Sequence, residues 1–145
     1  MKIQTKYHGE VEVAEDTFIH FEKGLPGFSD EKSFVILPLP EQSSFSILQS
    51  VDTAGLAFVV ANPYHFFPTY EFAMDEHTVD VLAIEDPSDV SVIVILTIQT
   101  PFEQTTANLQ APIIIHVKSN QAKQVILNDE RYHTKHRLLA EKNEG

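Results

Sequence analysis

The chain of 145 residues contains no cysteine, no tryptophan and only five glycines. Without thiols it can build no disulfide framework, no thiolate zinc site and no cysteine nucleophile, which suits a reducing compartment. So few glycines leave little from which to shape a phosphate-cradling loop. Neither nucleotide-binding glycine spacing occurs, and G-x-S-x-G and H-E-x-x-H are absent as well. No apolar run approaches the roughly eighteen residues of a membrane span, and Met1-Lys2-Ile3-Gln4-Thr5-Lys6 has no apolar stretch behind its lysines, so a soluble intracellular protein is expected. Positive charge is also missing: the 85 residues between Lys32 and Lys118 hold no Lys or Arg, yet they hold ten Asp and Glu. With a net charge of −11, the chain is built to avoid nucleic acid or to meet something basic, unless the charge serves solubility alone.

A chain of this length buries about two-thirds of its extended surface as one domain and needs no covalent staple. Short β-type segments bounded by Pro, Gly, Asn and Asp recur at residues 3–7, 10–13, 17–21, 33–37, 45–51, 56–61, 69–74, 90–99, 111–117 and 124–127. Their spacing predicts an all-β sandwich or barrel. His8-Gly9 reads as a tight turn, after which Val11 and Val13 alternate with Glu10 and Glu12 as one dry and one wet face require. Val92-Ile93-Val94-Ile95-Leu96 is apolar on both faces and belongs in mid-core, with Ile113-Ile114-Ile115 paired near it. Pro101 and Pro112 mark strand ends or edges. Ser29 is a candidate cap for a helical turn over residues 30–32, and Asp75 for two turns over residues 75–82. Residues 128–145 are charged and offer only Leu138 and Leu139 for docking, so a frayed or loosely attached helical segment is expected after a domain spanning 1–127.

Candidates for chemistry are sparse. His133-x-x-His136 is the only close histidine pair, and a metal there would need a third ligand from elsewhere. Asp86-Pro87-Ser88-Asp89 reads as a turn feeding the buried strand, since it lacks the central glycine of a calcium loop. A carboxylate pair assembled by the fold would permit a hydrolase, and a hollow barrel would permit a small ligand. More is found for a binding surface. Tyr64, Phe66, Phe67 and Tyr70 cluster around Pro63 and Pro68, and Glu71, Asp75 and Glu76 follow at once. These rings either plug one end of a barrel or anchor an interface with an acidic rim. A second candidate is the small, polar stretch with Thr105, Thr106, Asn108, Leu109 and Gln110, which either satisfies its own turn or recognises a partner through backbone pairing. Gly24-Leu25-Pro26-Gly27-Phe28 reads as a structural turn.

In order along residues 20–127, several stretches together resemble the FliW family of flagellar assembly factors. They are Gly24-Leu25-Pro26-Gly27-Phe28 with Phe34-Val35-Ile36-Leu37, Leu48-Gln49-Ser50-Val51 with Leu56-Ala57-Phe58-Val59-Val60, Asn62-Pro63 through Phe72, and Thr106 through Ile115 running on to Lys123-Gln124-Val125-Ile126-Leu127. Thr69 departs from the Asp usual in the family, which weakens an acidic contact there, and Ile115-His116-Val117 replaces a more Asn-containing ending. The resemblance implies an all-β, antiparallel barrel-like single domain with one or two short helices, no enzymatic activity and no cofactor. It also implies a cytoplasmic protein with two protein partners, flagellin and the RNA-binding translational repressor CsrA, and no direct contact with nucleic acid or membrane.

Overall fold

The computed structural model describes residues 1–39 and 44–138. Its strands are β1 (Lys2–Gln4), β2 (Glu10–Glu12), β3 (Ile19–Phe21), β4 (Ser33–Pro38), β5 (Phe45–Ser50), β6 (Ala57–Ala61), β7 (Val90–Thr97), β8 (Thr106–Ala107), β9 (Ile113–His116), β10 (Gln121–Gln124) and β11 (His136–Arg137). Two short helices, α1 (Pro63–Phe66) and α2 (Glu76–Val81), lie between β6 and β7. Seven strands run in the order β7-β6-β5-β4-β3-β10-β9, and β9 pairs back onto β7, so the sheet closes into a barrel. Every step round the barrel is antiparallel except β3 with β10, which is parallel.

Closure follows from the two segments that are apolar on both faces. Val92 faces Ile114 and Ile93 faces Ile113 across β7 and β9, as the continuous apolar runs require. Strand alternation divides the remaining side chains. On β4, Phe34 turns into the inner cluster with Phe21, Leu48, Val60, Ile113 and Ile115, while Val35 and Leu37 turn outward beneath the β1–β2 hairpin and Ile3. Phe34, Leu48 and Ile113 are wholly buried, so the interior is packed and is no container. Each such side chain contributes about 1.5–3 kcal/mol. Leu25, only 2% exposed, closes one mouth from the glycine-flanked loop. The other outer face carries Val94, Leu96 and Ala61 beneath a wrap formed by residues 62–74, β8 and residues 125–138.

Several expectations are corrected. Residues 69–74 alternate in burial, Tyr70 in and Glu71 out, but they pair with no strand; they are extended chain lying over the barrel. Ser29 and Asp30 form a turn instead of capping a helix. There Glu31 accepts hydrogen bonds from the Ser50 and Thr53 hydroxyls, both at 2.6 Å, which hold its carboxyl below the usual range. The strand sought at 124–127 sits at β10, because pairing with β3 and β9 is completed there. Residues 128–138 are neither frayed nor helical: β11 pairs with β8, and Leu138 is buried with its N–H donating to Thr105 O at 3.0 Å. Leu139 lies outside the described residues.

Candidate partner-binding surface

Asn62 begins the aromatic segment as a helix cap, its Oδ1 accepting the Tyr64 N–H at 2.8 Å, and Pro63 takes the first helical position, where no N–H is needed. The stretch expected to be loop therefore makes one helical turn. That turn fans the rings apart. Tyr64 is 41% exposed, Phe66 and Phe67 are half-buried, and Tyr70 is 4% exposed. Tyr70 is thus withdrawn from the surface in this structure. Its hydroxyl donates to Leu109 O at 2.7 Å, and burial first, then the neighbouring Tyr64 and Tyr132, push that hydroxyl far above the usual phenol range.

Around Tyr70 the rings form a continuous belt. Tyr132 meets it edge-on at 4.8 Å between centroids, Tyr64 lies at 5.7 Å and Phe72 at 5.4 Å. A second branch runs from His65 through Phe66 to Phe45 and Phe102, at 4.9, 5.8 and 5.9 Å. Tyr132, Phe45 and Phe102 are not among the binding candidates that the sequence offers. An aromatic inside an otherwise charged tail was the available signal for Tyr132.

The acidic rim is less charged than its sequence suggests. Arg131 donates to Glu71 at 3.1 Å and to Asp129 at 2.8 Å, so one exposed guanidinium is shared by two carboxylates and partly offsets Glu71. Asp75 accepts the Thr78 N–H at 2.8 Å as the cap of α2, which lowers its pKa through hydrogen bonds to Thr78 before the charges of Lys123 and His77 add to it. Helical spacing then sorts α2: Thr78 and Leu82 are buried, His77 and Val81 line a groove, and Glu76 and Asp80 point to solvent. Glu85 and Asp86 are exposed after it, whereas Asp89 is buried and paired with Lys118 at 3.2 Å. Among the described acids of the cation-free window, Glu76, Asp80, Glu85 and Asp86 therefore stand exposed and outside any ion pair on α2 and just after it. Glu41 lies outside the described residues.

The second candidate loop is mostly occupied with itself. Thr105 is buried, its hydroxyl accepting the Gln99 N–H at 3.0 Å; Asn108 Oδ1 accepts the N–H groups of Gln110 and Ala111, both at 3.1 Å; Leu109 is 2% exposed. Thr106 and Gln110 are half-buried. Thr106 lies on β8, which has β7 on one side and β11 on the other, so the expected free edge for backbone pairing does not exist. The His133 and His136 rings stack at 3.8 Å, and both use ring nitrogens inside the protein. His136 Nε2 accepts the His133 N–H at 3.0 Å, and His133 Nδ1 accepts the Lys135 N–H at 3.4 Å. Among the described residues no group of three or more His, Asp or Glu is arranged to hold a metal ion. Nor is any helix there long and apolar enough to cross a membrane.

A model of the family described as FliW protein matches residues 2–138. The flagellar assembly factor FliW of Bacillus pumilus (strain SAFR-032) is 56% identical over 138 residues, covering 95% of this chain and 96% of its own. The protein of the same description from Bacillus subtilis (strain 168) is 52% identical over 141 residues, covering 97% of this chain and 99% of its own. A solved structure described as the crystal structure of the flagellar assembly factor FliW superposes with a TM-score of 0.93 at 51% identity, covering 98% of this chain and 99% of that one.

Proposed function

Because the chain belongs to the FliW family of flagellar assembly factors, we propose that it binds flagellin in the cytoplasm and, in alternation, binds and antagonises the translational repressor CsrA. Free chain then lifts repression of flagellin message, and accumulating flagellin withdraws the chain and restores repression. The role is one of binding, not catalysis.

The observation that carries this reading is the placing of an exposed aromatic anchor, Tyr64, beside half-buried Phe66 and Phe67 on a chain of net charge −11. Such rings, held on a rigid turn, desolvate easily against a partner, and the acids speed its approach when it is basic. Tyr64, Phe66 and Phe67 are the proposed contacts, with Asp75 and Glu76 as the charged rim and Glu71 contributing less because Arg131 pairs with it. Tyr70 serves as their scaffold. Thr106 and Gln110 are the accessible members of the second loop, while Thr105, Asn108 and Leu109 hold it in shape.

CsrA must grip RNA through a cationic surface, so docking this anion beside it adds a repulsive potential toward phosphate without covering the RNA site. The acids grouped on α2 give that potential a direction. Calorimetric titration with purified CsrA and flagellin, singly and together, tests the alternation: each binds alone, and the first to bind excludes the second. Simultaneous tight binding of both would sink it. RNA release from CsrA across a salt series tests the electrostatic mechanism, which requires antagonism to fade with added salt while the protein complex persists.

A further inference from the structure

Lys23 and Lys123 come from opposite ends of the cation-free stretch, yet they line one groove of about 350 Å3. The parallel pair brings them together: Phe21 on β3 lies opposite Ala122 on β10, so both chains reach the same end of the barrel with a lysine one or two residues further on. Its floor is Leu25 and Ala122, 2% and 4% exposed, and α2 supplies His77 and Val81, the latter 43% exposed. The anions at hand are Glu22, which lines the groove, Asp75, whose carboxylate is engaged as the cap of α2, and Glu76 and Asp80, which α2 turns to solvent beside it. Among the described residues neither lysine is in an ion pair. The three other grooves described, at the Ser46–His65 mouth, beside Phe28 and beside Met74, are lined by no Lys or Arg.

The loop wall is closely packed at Gly24. Gly24 has φ +68°, and a Cβ there would stand 2.6 Å from the carbonyl oxygens of Phe28 and Ser29. A second groove of about 270 Å3 adjoins it, sharing Leu25, Pro26 and Gln124 in its lining and reaching exposed Phe28 and Ile126, 41% and 59%. The two adjoining grooves make a trough with lysines in one part and apolar side chains in the other. That pairing suits a segment of polypeptide carrying both carboxylates and apolar side chains, and its two lysines form a cationic spot on a strongly anionic protein.

We propose that this trough is a docking site for an extended acidic peptide segment of a partner protein, with carboxylates beside Lys23 and Lys123 and apolar side chains against Leu25, Phe28 and Ile126. It lies on elements other than the aromatic belt and does not rest on the flagellin or CsrA reading.

The probe is a fluorescein-labelled dodecapeptide in which Leu alternates with Glu, compared with its counterpart carrying Gln in place of Glu, each titrated by anisotropy against the full chain. Net charge alone predicts that an anionic peptide binds worse to this protein. The trough predicts the reverse, with the Glu peptide about tenfold tighter. K23E/K123E should abolish that preference and V81D should weaken both peptides, with amide shifts on binding centred on Val81, Ala122 and Phe28. K23Q/K123Q replaces the charge-reversed variant if that one unfolds at a lower temperature. Equal or tighter binding of the Gln peptide, an unchanged preference in the lysine variants, or shifts centred on Tyr64 would each overturn the proposal.

Discussion

Replacing Tyr70 with Phe separates the scaffold of the aromatic belt from its contact surface. The substitution keeps the ring, its edge-on packing at 4.8 Å against Tyr132 and its burial, and it deletes only the hydroxyl that donates to Leu109 O at 2.7 Å. That carbonyl sits in a buried loop, and leaving it without a donor costs about 1–3 kcal/mol. For a domain of this size the loss lowers Tm by about 3–10 °C. The assay is thermal and urea unfolding, run beside titration with flagellin and CsrA at a temperature where Y70F remains folded. Y70F should lose stability and keep affinity. Y64A should do the opposite: its ring is 41% exposed and lies 5.7 Å from that of Tyr70, so about 1 kcal/mol of stability is at stake, whereas an interface anchor of this type carries about 1–3 kcal/mol, or roughly 5- to 150-fold in affinity. Wild-type unfolding by Y70F together with a tenfold loss of partner affinity would refute the reasoning, because it would make Tyr70 the contact and Tyr64 the bystander.

Three further outcomes follow from named contacts. R131A removes a mostly exposed bridge and should change stability by less than about 1 kcal/mol, yet it frees Glu71 and Asp129 and should speed association with CsrA about twofold at low salt, a gain that salt erases; stopped-flow rates decide, and an unchanged rate would mean that this rim faces away from the partner. G24A forces an alanine to φ +68° and its Cβ against two carbonyl oxygens at 2.6 Å, so urea unfolding should show a loss of about 2–4 kcal/mol, and an unchanged midpoint would mean that the loop adapts freely. His136 has its pKa lowered by burial and then by His133, and its Nε2 must stay unprotonated to accept the His133 N–H. Its folded pKa lies below the unfolded value near 6.5, so its contribution is complete above about pH 6.5 and is lost as pH falls through the folded pKa. Urea midpoints measured from pH 7.5 to 5 should decline, and H136F should flatten that part of the profile; Glu31, lowered by the Ser50 and Thr53 hydroxyls, adds its own loss only in the acid range below its ordinary carboxyl value.

The local signals held where a decision is made by near neighbours. Alternation marked β2, two-sided apolar runs marked β7 and β9 and even their pairing, and Asp75 capped α2 as its position before Glu76 and Thr78 suggested. The ordered motifs carried the family. What local pattern could not carry was the choice of partner for each segment. Residues 69–74 have the alternation of a strand, yet the barrel closes through β9 and leaves them nothing to pair with. Tyr64 and Tyr70 are the same residue type six positions apart, and only the wrap of residues 125–138 over the barrel puts one at the surface and the other in the core.

Charge divides in the same way. Composition by itself determined that this protein is an anion with its cations banished to the two ends of the chain, since counting needs no coordinates. Tertiary structure decided which charges remain free: Arg131 returns from the tail to bridge Glu71 and Asp129, Lys118 pairs with buried Asp89, and Lys23 and Lys123 come to line one groove through a parallel strand pair. Each of these joins groups far apart in the chain, and the Coulomb energy between them depends on a distance that only the closed barrel supplies.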